Sequence, residues 1–227
     1  MKFPAALAAL KTALNLLLFA VVGTAILAYT FQQTHGLIVK NEQAEKLKLI
    51  TQIVAPALFD NDIIQDTLTV PPSAQLGTDN PSVIYRARLH GKPSVAVLEA
   101  IAPDGYSGKI GLIIAVHADA TLAGARVVWH KETPGLGDYI DFARNRWISQ
   151  FDGASHTRYK EDDWQVKKDG GQFDYMAGAT ITPRAVIKAV HKAVHYYEEN
   201  HEKLFAAIPE RELPPLKGGE SRQGNQK

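Results

Sequence analysis

The sequence predicts an α+β protein with a single N-terminal transmembrane helix followed by an antiparallel sheet and flanking helices. Three observations support this fold class. Residues 13–31 form an apolar run without a charge, residues 82–130 contain short β-branched stretches separated by turn residues, and residues 183–205 have apolar residues at helical spacing. The length of 227 residues fits one domain with appendages.

The membrane anchor is predicted from Ala13 to Phe31, where 19 residues read ALNLLLFAVVGTAILAYTF. About 20 such residues in a helix cross the hydrocarbon core of a bilayer. Lys2 and Lys11 precede the run without an acidic residue, so the N-terminus is expected in the cytoplasm and the following chain outside. A cleaved signal peptide ending at Ala28 is the alternative. We therefore expect a single-pass protein of the cell inner membrane whose bulk is periplasmic.

A helical neck is predicted to follow the anchor, because apolar residues keep a helical spacing from Ile38 to Ile53 and Ala55-Pro56 is expected to end the helix. After Pro209 the composition becomes polar and rich in proline and glycine, which is typical of disorder. The predicted division is a cytoplasmic N-terminus (1–12), an anchor (13–31), a helical neck and linker (32–80), a folded domain (81–207) and a disordered tail (208–227).

The folded domain is predicted to begin with an antiparallel meander. Its strands are expected at Ser82–His90, Ser94–Ala102, Lys109–Val116 and Leu122–His130, with a turn at 104–108. The third of them, KIGLIIAV, reads as a strand buried on both faces.

Two helices are predicted after the strands, at 138–151 and at 183–205. For the second, Thr182 is the expected N-cap and Pro183 suits the first helical position. An apolar stripe follows at Val186, Ile187, Val190, Val194 and Tyr197.

Composition excludes several classes of chemistry. The chain has no cysteine, so it holds no thiolate-bound cluster, c-type haem, disulfide or thiol nucleophile, and its formal net charge of +1 gives no sign of a nucleic-acid partner. His191 and His195 have the spacing of a helical metal-binding pair, but the sequence offers no third ligand, so no metal site is predicted. All three tryptophans are expected in the core: Trp129, Trp147 and Trp164.

A hydroxyl-bearing segment, DYMAGATITP, runs from Asp174 to Pro183 just ahead of the last predicted helix. Gly178 and Ala179 leave the backbone accessible, while the free N–H groups and positive dipole end of a helix favour a phosphate. From the residues alone, two interpretations stay open. The segment is either a phosphate site or a plain turn followed by a helix cap at Thr182.

A glycine-containing loop, HKETPGLGD, runs from His130 to Asp138. Gly135 and Gly137 permit unusual backbone angles and the close approach of a flat ring. Thr133 and the backbone amides offer hydrogen bonds, and Leu136 offers an apolar cover. The alternative is a simple connection between a strand and a helix.

Together the two segments resemble the flavinylation motif and the ETPGLG loop of the FMN-binding subunits in Rnf-type complexes (Rsx in some bacteria) and in sodium-pumping NADH:quinone complexes. The flavinylation motif is an aspartate followed by serine or threonine and then Gly-Ala-Thr. Ala177 stands where the serine or threonine is usual. The resemblance extends from the anchor to about residue 205 and is nearer to the RnfG branch of the family than to its sodium-pump branch.

The resemblance implies that a flavin transferase joins FMN to Thr180 through a phosphoester, with Thr182 as the second choice of acceptor. It also implies that the ETPGLG loop lies against the flavin. The implied cofactor-binding residues are Thr180, Gly178, Ala179, Asp174, Thr182, Glu132, Thr133, Gly135, Leu136 and Gly137.

The function implied by the resemblance is an electron relay in a membrane-bound translocase that couples transfer between ferredoxin and NAD(H) to ion movement. The implied partners are the other membrane and peripheral subunits of that complex, the flavin transferase and membrane lipid. The isolated chain is then expected to have no turnover. One alternative, favoured by Ala177, is a structural or regulatory subunit without covalent flavin. Another is a flavin-linked reductase acting on a soluble periplasmic substrate.

Overall fold

The computed structural model describes residues 3–206, so the predicted disordered tail at 208–227 lies outside the described residues. One long helix precedes a five-stranded sheet in the sequence, and a second long helix follows it. The elements are α1 (Phe3–Ile53), β1 (Thr67–Val70), β2 (Ser82–Leu89), β3 (Lys92–Gly105), β4 (Gly108–His117), β5 (Leu122–Trp129) and α2 (Ile181–Phe205). Between β5 and α2 the chain forms only short 3₁₀ turns, at Gly137–Ile140, Arg146–Phe151, Glu161–Asp163 and Lys167–Asp169.

Helix α1 is continuous over 51 residues, which corresponds to a length of about 76 Å. Its part from Leu7 to Ile38 is long and apolar enough to cross a membrane, and its side chains there are not buried by the protein. The hydroxyls of Thr30 and Thr34 donate to the carbonyls one turn earlier, at 2.8 and 2.9 Å. These bonds satisfy the polar groups without water, as an apolar surrounding requires.

The sheet is an antiparallel meander with the order β1-β2-β3-β4-β5, which confirms the predicted topology. The four predicted strands are all present. The first strand, β1, falls in the segment predicted as linker and was missed, because four residues of mixed exposure carry little periodic signal. The β3–β4 hairpin extends beyond the predicted strand end to the pair Gly105 and Gly108, so only Tyr106 and Ser107 form its turn.

Both faces of the sheet are buried. Leu98 and Leu112 point to one face, which is covered by α2 and by the connection that precedes it. Val97 and Ile113 point to the other face, where the end of α1 packs with Ile50. This explains the continuous apolar sequence of β4, since residues of either parity lie in a core.

Helix α2 begins two residues earlier than predicted. Thr180 occupies the N-cap position, and Thr182, the predicted cap, lies buried in the first turn with 1% of its surface exposed. Pro183 is tolerated there because first-turn amides have no partner within the helix. The predicted apolar stripe is confirmed, as all five of its residues are buried.

The helix predicted at 138–151 is wrong: the chain forms two 3₁₀ turns there instead. Side chains offer the backbone a competing partner at both breaks. Asp141 Oδ1 accepts from the amide of Ala143 at 3.0 Å, and Asn145 Oδ1 accepts from the amide of Trp147 at 2.9 Å.

Two of the three tryptophans lie in the core as predicted, namely Trp147 and Trp164. Trp129 does not, because 47% of its surface is exposed at the end of β5. Its ring lies across Gly111, where an added Cβ would stand 2.3 Å from the indole nitrogen.

Candidate cofactor site

Three separate segments meet at one end of the sheet and enclose a cavity of about 200 Å³. They are the β3–β4 turn, the loop after β5 and the segment that leads into α2. The cavity is lined by Tyr106, Glu132, Thr133, Leu136, Gly137, Gly178, Ala179, Thr180, Ile181 and Thr182. Residues far apart in sequence thus form one site.

Glu132 connects the three segments. Its side chain is 4% exposed, and its Oε1 accepts from the amide of Ser107 in the β3–β4 turn at 3.0 Å. Its Oε2 accepts from the hydroxyl of Thr182 in the first turn of α2 at 2.6 Å. The amide of Glu132 itself donates to Nδ1 of His130 at 3.1 Å. Glu132 therefore holds the walls of the cavity together.

The loop after β5 folds tightly around Thr133, whose carbonyl accepts from the amides of Leu136 and Gly137 at 3.1 Å each. Gly135 has a φ of 77°, a left-handed conformation that glycine adopts freely, and its amide donates to Asp138 Oδ1 at 2.8 Å. A Cβ on Gly137 would stand 2.6 Å from Oε2 of Glu132. Glycine is therefore required there for close packing against Glu132.

The segment that precedes α2 is fixed by aromatic side chains from the 3₁₀ turns. The indole N–H of Trp147 donates to the carbonyl of Asp174 at 2.6 Å. The hydroxyl of Tyr139 accepts from the amide of Met176 at 3.2 Å and donates to the carbonyl of Ala179 at 3.3 Å. Burial raises the pKa of the Tyr139 hydroxyl, so it stays protonated and able to donate at neutral pH.

The two candidate acceptor threonines have different surroundings. Thr180 is partly exposed at the cavity wall, and its hydroxyl makes no capping bond to α2. Thr182 also reaches the cavity, but it is buried and its hydroxyl is committed to Glu132. The turn before Thr180 is open: Gly178 has a φ of 88°, and a Cβ there would meet nothing within 4 Å.

All but two of the predicted site residues line the cavity. Gly135 shapes the loop from outside it, and the Asp174 side chain turns away to an ion pair with Lys167 at 2.5 Å. The sequence prediction missed Tyr106 and Ile181. Tyr106 carried one usable signal, an exposed aromatic residue at the tip of a predicted turn.

The site fits a flavin mononucleotide. The N-terminus of α2 offers free amides and a positive dipole end to a phosphate beside Thr180. Large exposed apolar side chains surround the mouth of the cavity, as a flat ring system requires: Tyr106, Leu136 and Ile181. A second cavity, of about 260 Å³, lies between Lys46 and Trp129, and no residue of the two motif segments lines it.

Comparison with known proteins gives two family matches. Residues 105–195 match the FMN-binding domain, and residues 1–53 match the RnfG N-terminal region. The chain is 45% identical over 197 residues to the G subunit of the ion-translocating oxidoreductase complex of Pseudomonas aeruginosa, covering 87% of this chain and 92% of the relative. It is 44% identical over 200 residues to the protein of the same name from Pseudoalteromonas atlantica, covering 88% and 93%. The Vibrio cholerae protein of this name is 43% identical over 194 residues, covering 86% and 92%.

Proposed function

Since the chain belongs to the RnfG family, the G subunits of the Rnf-type ion-translocating oxidoreductase complexes, we propose that it carries FMN as a phosphoester on Thr180. Its FMN-binding domain gives it an electron-relay role among the other subunits of that complex. The observation that supports Thr180 is its position: a partly exposed hydroxyl at the N-terminus of α2, on the wall of the cavity between the two motif segments.

The hydrogen bonding around the cavity favours Thr180 over Thr182 as the acceptor. A phosphoester on Thr182 would take its hydroxyl from Glu132 and leave that buried carboxyl group without one of its two donors. An uncompensated buried polar group costs about 1–3 kcal/mol, more where charge is involved. Thr180 has no such bond to lose.

Attachment forms a bond between Oγ1 of Thr180 and the phosphorus of FMN. A flavin dinucleotide is a suitable donor, because its pyrophosphate bond breaks and the nucleoside monophosphate leaves with the hydroxyl proton. The helix dipole and first-turn amides of α2 then stabilise the phosphate charge. When bound, FMN supplies the one- and two-electron redox chemistry. The chain's own residues orient it, through the loop that Glu132 fixes, and shield one side of it.

The proposed electron path includes ferredoxin and NAD(H) at other subunits, with ion translocation as the coupled process. The isolated chain is expected to show no turnover, because its flavin relays electrons and does not act on a substrate. We would mix the purified flavin-loaded chain with NADH and with soluble acceptors and follow flavin absorbance. Steady turnover by the isolated chain would favour the reductase alternative.

We further propose that α1 anchors the chain in the lipid of the inner membrane, with the sheet domain and the transferase that modifies it on the periplasmic side. Lys11 precedes the uncharged run at residues 13–31 of α1, in agreement with this orientation. The chain lacks cysteine, so single introduced cysteines report topology cleanly. The Glu202→Cys variant has a cysteine at the exposed end of α2, and we expect this cysteine to react with a membrane-impermeant maleimide applied to the periplasm. The cysteine of Lys2→Cys is expected to react only after lysis. The reverse pattern would invert the topology.

The attachment site is tested on the full chain, produced with a flavin transferase in an exporting host and purified in detergent. The denatured protein is run on a gel, its flavin fluorescence recorded and any adduct located by peptide mass. We expect fluorescence on the wild type and on Thr180→Ser, a weaker signal on Thr182→Val because it removes one donor to Glu132, and none on Thr180→Val. The serine variant is the matched control, because it keeps the hydroxyl at the same position.

Two results would contradict the proposal in different ways. An adduct that persists in Thr180→Val would move the attachment to another residue and keep the relay function. A wild-type chain without any adduct, from cells whose transferase modifies a control protein, would favour the structural-subunit alternative. Ala177 is the feature that favours this alternative, and Ala177→Ser would then be expected to restore labelling.

A further inference from the structure

A histidine cluster lies on α2 well away from the cofactor cavity. His191 and His195 share one face of the helix, and His156 reaches them from the loop between the 3₁₀ turns at 146–151 and 161–163. One ring nitrogen from each of the three lies within 4.8 Å of the others. The sequence showed no third ligand for the helical pair, and the structure places His156 beside it. His156 stands too far back in the sequence for spacing to reveal it.

Glu161 completes the cluster from the start of a 3₁₀ turn. Its Oε2 lies 3.3 Å from Nε2 of His191 and 3.6 Å from Nε2 of His195. The contact to His191 lacks the geometry of a hydrogen bond, since Nε2 of His191 is buried without a hydrogen-bond partner within residues 3–206. Three imidazoles thus lie together, and one carboxylate oxygen stands beside two of them.

His156 is oriented as a metal ligand would be. Its Nδ1 lies 2.7 Å from Oε2 of Glu198, and its Nε2 is buried with no hydrogen-bond partner in the part of the chain that the structure describes. A carboxylate that holds one ring nitrogen fixes the tautomer and directs the lone pair of the other nitrogen outward. Metal-bound histidines in proteins typically have such a carboxylate behind them.

The ring of His191 is held in place by stacking. It stacks on the ring of Trp164, with centroids 4.9 Å apart and an interplanar angle of 11°. Two buried ring nitrogens without partners, on His156 and His191, are costly unless something binds them.

We propose that His156, His191, His195 and Glu161 form a zinc site, with Glu198 supporting His156. Three imidazoles and a carboxylate suit Zn²⁺ and exclude Mg²⁺ and Ca²⁺, which prefer all-oxygen ligands. Tetrahedral Zn–N bonds place ligand nitrogens roughly 3.3 Å apart, so the nitrogens, which lie within 4.8 Å of one another, would approach by up to about 1.5 Å on binding.

The site is separate from the proposed flavin attachment. His191 lies eleven positions after Thr180, which corresponds to about 16 Å along the helix. Zinc there joins the loop of His156 and the turn of Glu161 to α2. This connection stabilises the long stretch between β5 and α2, which otherwise contains only short turns.

The experiment uses the full chain in detergent, purified through a tag without histidine, stripped with a chelator and exchanged into metal-free buffer. Zn²⁺ is titrated in competition with a chromogenic chelator, and Co²⁺ is titrated for the visible absorption bands of a tetrahedral site. We expect one Zn²⁺ per chain and intense Co²⁺ bands. At a free Zn²⁺ concentration about 100 times the Kd, we expect the melting temperature to rise by about 5–10 °C.

Single substitutions locate the site. His156→Gln and His195→Gln are each expected to weaken Zn²⁺ binding by more than about 100-fold, since even changes behind a ligand cost 10–100-fold. His201→Gln is the matched control on the same helix and should bind as the wild type does. His195 is 43% exposed, so its variant will fold even if the His156 variant does not.

Three outcomes would overturn the proposal. They are the absence of stoichiometric Zn²⁺ binding by the wild type, wild-type affinity in His195→Gln, and Co²⁺ spectra of octahedral rather than tetrahedral type. The flavin proposal is unaffected by any of them, because its readout on Thr180 requires no metal at this cluster.

Discussion

Replacing Glu132 with alanine is expected to open the cofactor site and to destabilise the sheet domain. The structure gives the magnitude. The variant removes the acceptor of two donors, the partly buried amide of Ser107 and the buried hydroxyl of Thr182. A buried donor left without a partner costs about 1–3 kcal/mol, and the Ser107 amide contributes at the lower end because water can reach it, so the free energy of unfolding should fall by about 2–4 kcal/mol. Glu132→Gln keeps the shape and one carbonyl oxygen, and its expected loss is about 1 kcal/mol.

The assay is guanidinium denaturation of the full chain in detergent, followed by the fluorescence of Trp147 and Trp164, which are buried in the sheet domain. Helix α1 stays in the micelle in every variant, so differences in free energy between variants report on the sheet domain. The same proteins, produced with a transferase, are scored for covalent flavin. We expect the alanine variant to lose most of it and the glutamine variant to keep it.

Equal stability of Glu132→Ala and the wild type, within about 1 kcal/mol, would refute the role of Glu132 as the residue that holds the cavity walls together. Normal flavin attachment to a strongly destabilised alanine variant would separate the two roles. The loop after β5 would then not need to be fixed for modification of Thr180.

Further variants test the packing that supports the site. Gly137→Ala is expected to displace Glu132, because the new Cβ would stand 2.6 Å from its Oε2. Both the melting temperature and flavin labelling should fall, and unchanged labelling would contradict this. Asp66→Ala leaves the buried guanidinium of Arg86 without its ion-pair partner and should cost about 3–5 kcal/mol in denaturant unfolding, and a loss below about 1 kcal/mol would contradict it. Burial, aided by a neighbouring carboxylate, raises the pKa of Tyr197 from 10.0 to about 12. As the pH rises, the unfolded chain therefore loses this proton before the folded chain does, and the free energy of unfolding falls between pH 10.0 and about 12. This pH dependence should be weaker in Tyr197→Phe. An unchanged dependence in that variant would assign it to other groups.

The sequence predicted those elements whose local pattern agrees with their final packing. The stripe on α2 and the apolar run of β4 are such cases, because periodicity directly reflects which faces are buried. The helix predicted at 138–151 failed for the opposite reason. Its apolar residues are aromatic anchors for the core, and Asp141 and Asn145 stop each turn with their own side chains.

The site depends on long-range contacts that no local pattern contains. The start of α2 differs from the prediction because the hydroxyl of Thr182 bonds to Glu132, which lies 50 positions away. The same bond gives the two candidate acceptor threonines different surroundings, a difference that the sequence does not show. Resemblance located the two segments, whereas the hydrogen bonds of Glu132 explain why they meet.

Strand β3 is one of the connections between the membrane anchor and the cofactor site. Glu99 of β3 forms an ion pair with Lys46 of α1 at 2.7 Å, and Ile50 at the end of α1 is buried against the same face of the sheet. Six residues further along, Gly105 begins the turn that Glu132 holds against the cavity, a distance of about 20 Å along a strand. Because α1 runs unbroken into this contact, the described chain has no flexible linker between the membrane segment and the sheet. The height of Thr180 above the bilayer is therefore set by the length of α1. A relay held in this way can exchange electrons only with partners that the complex brings to it.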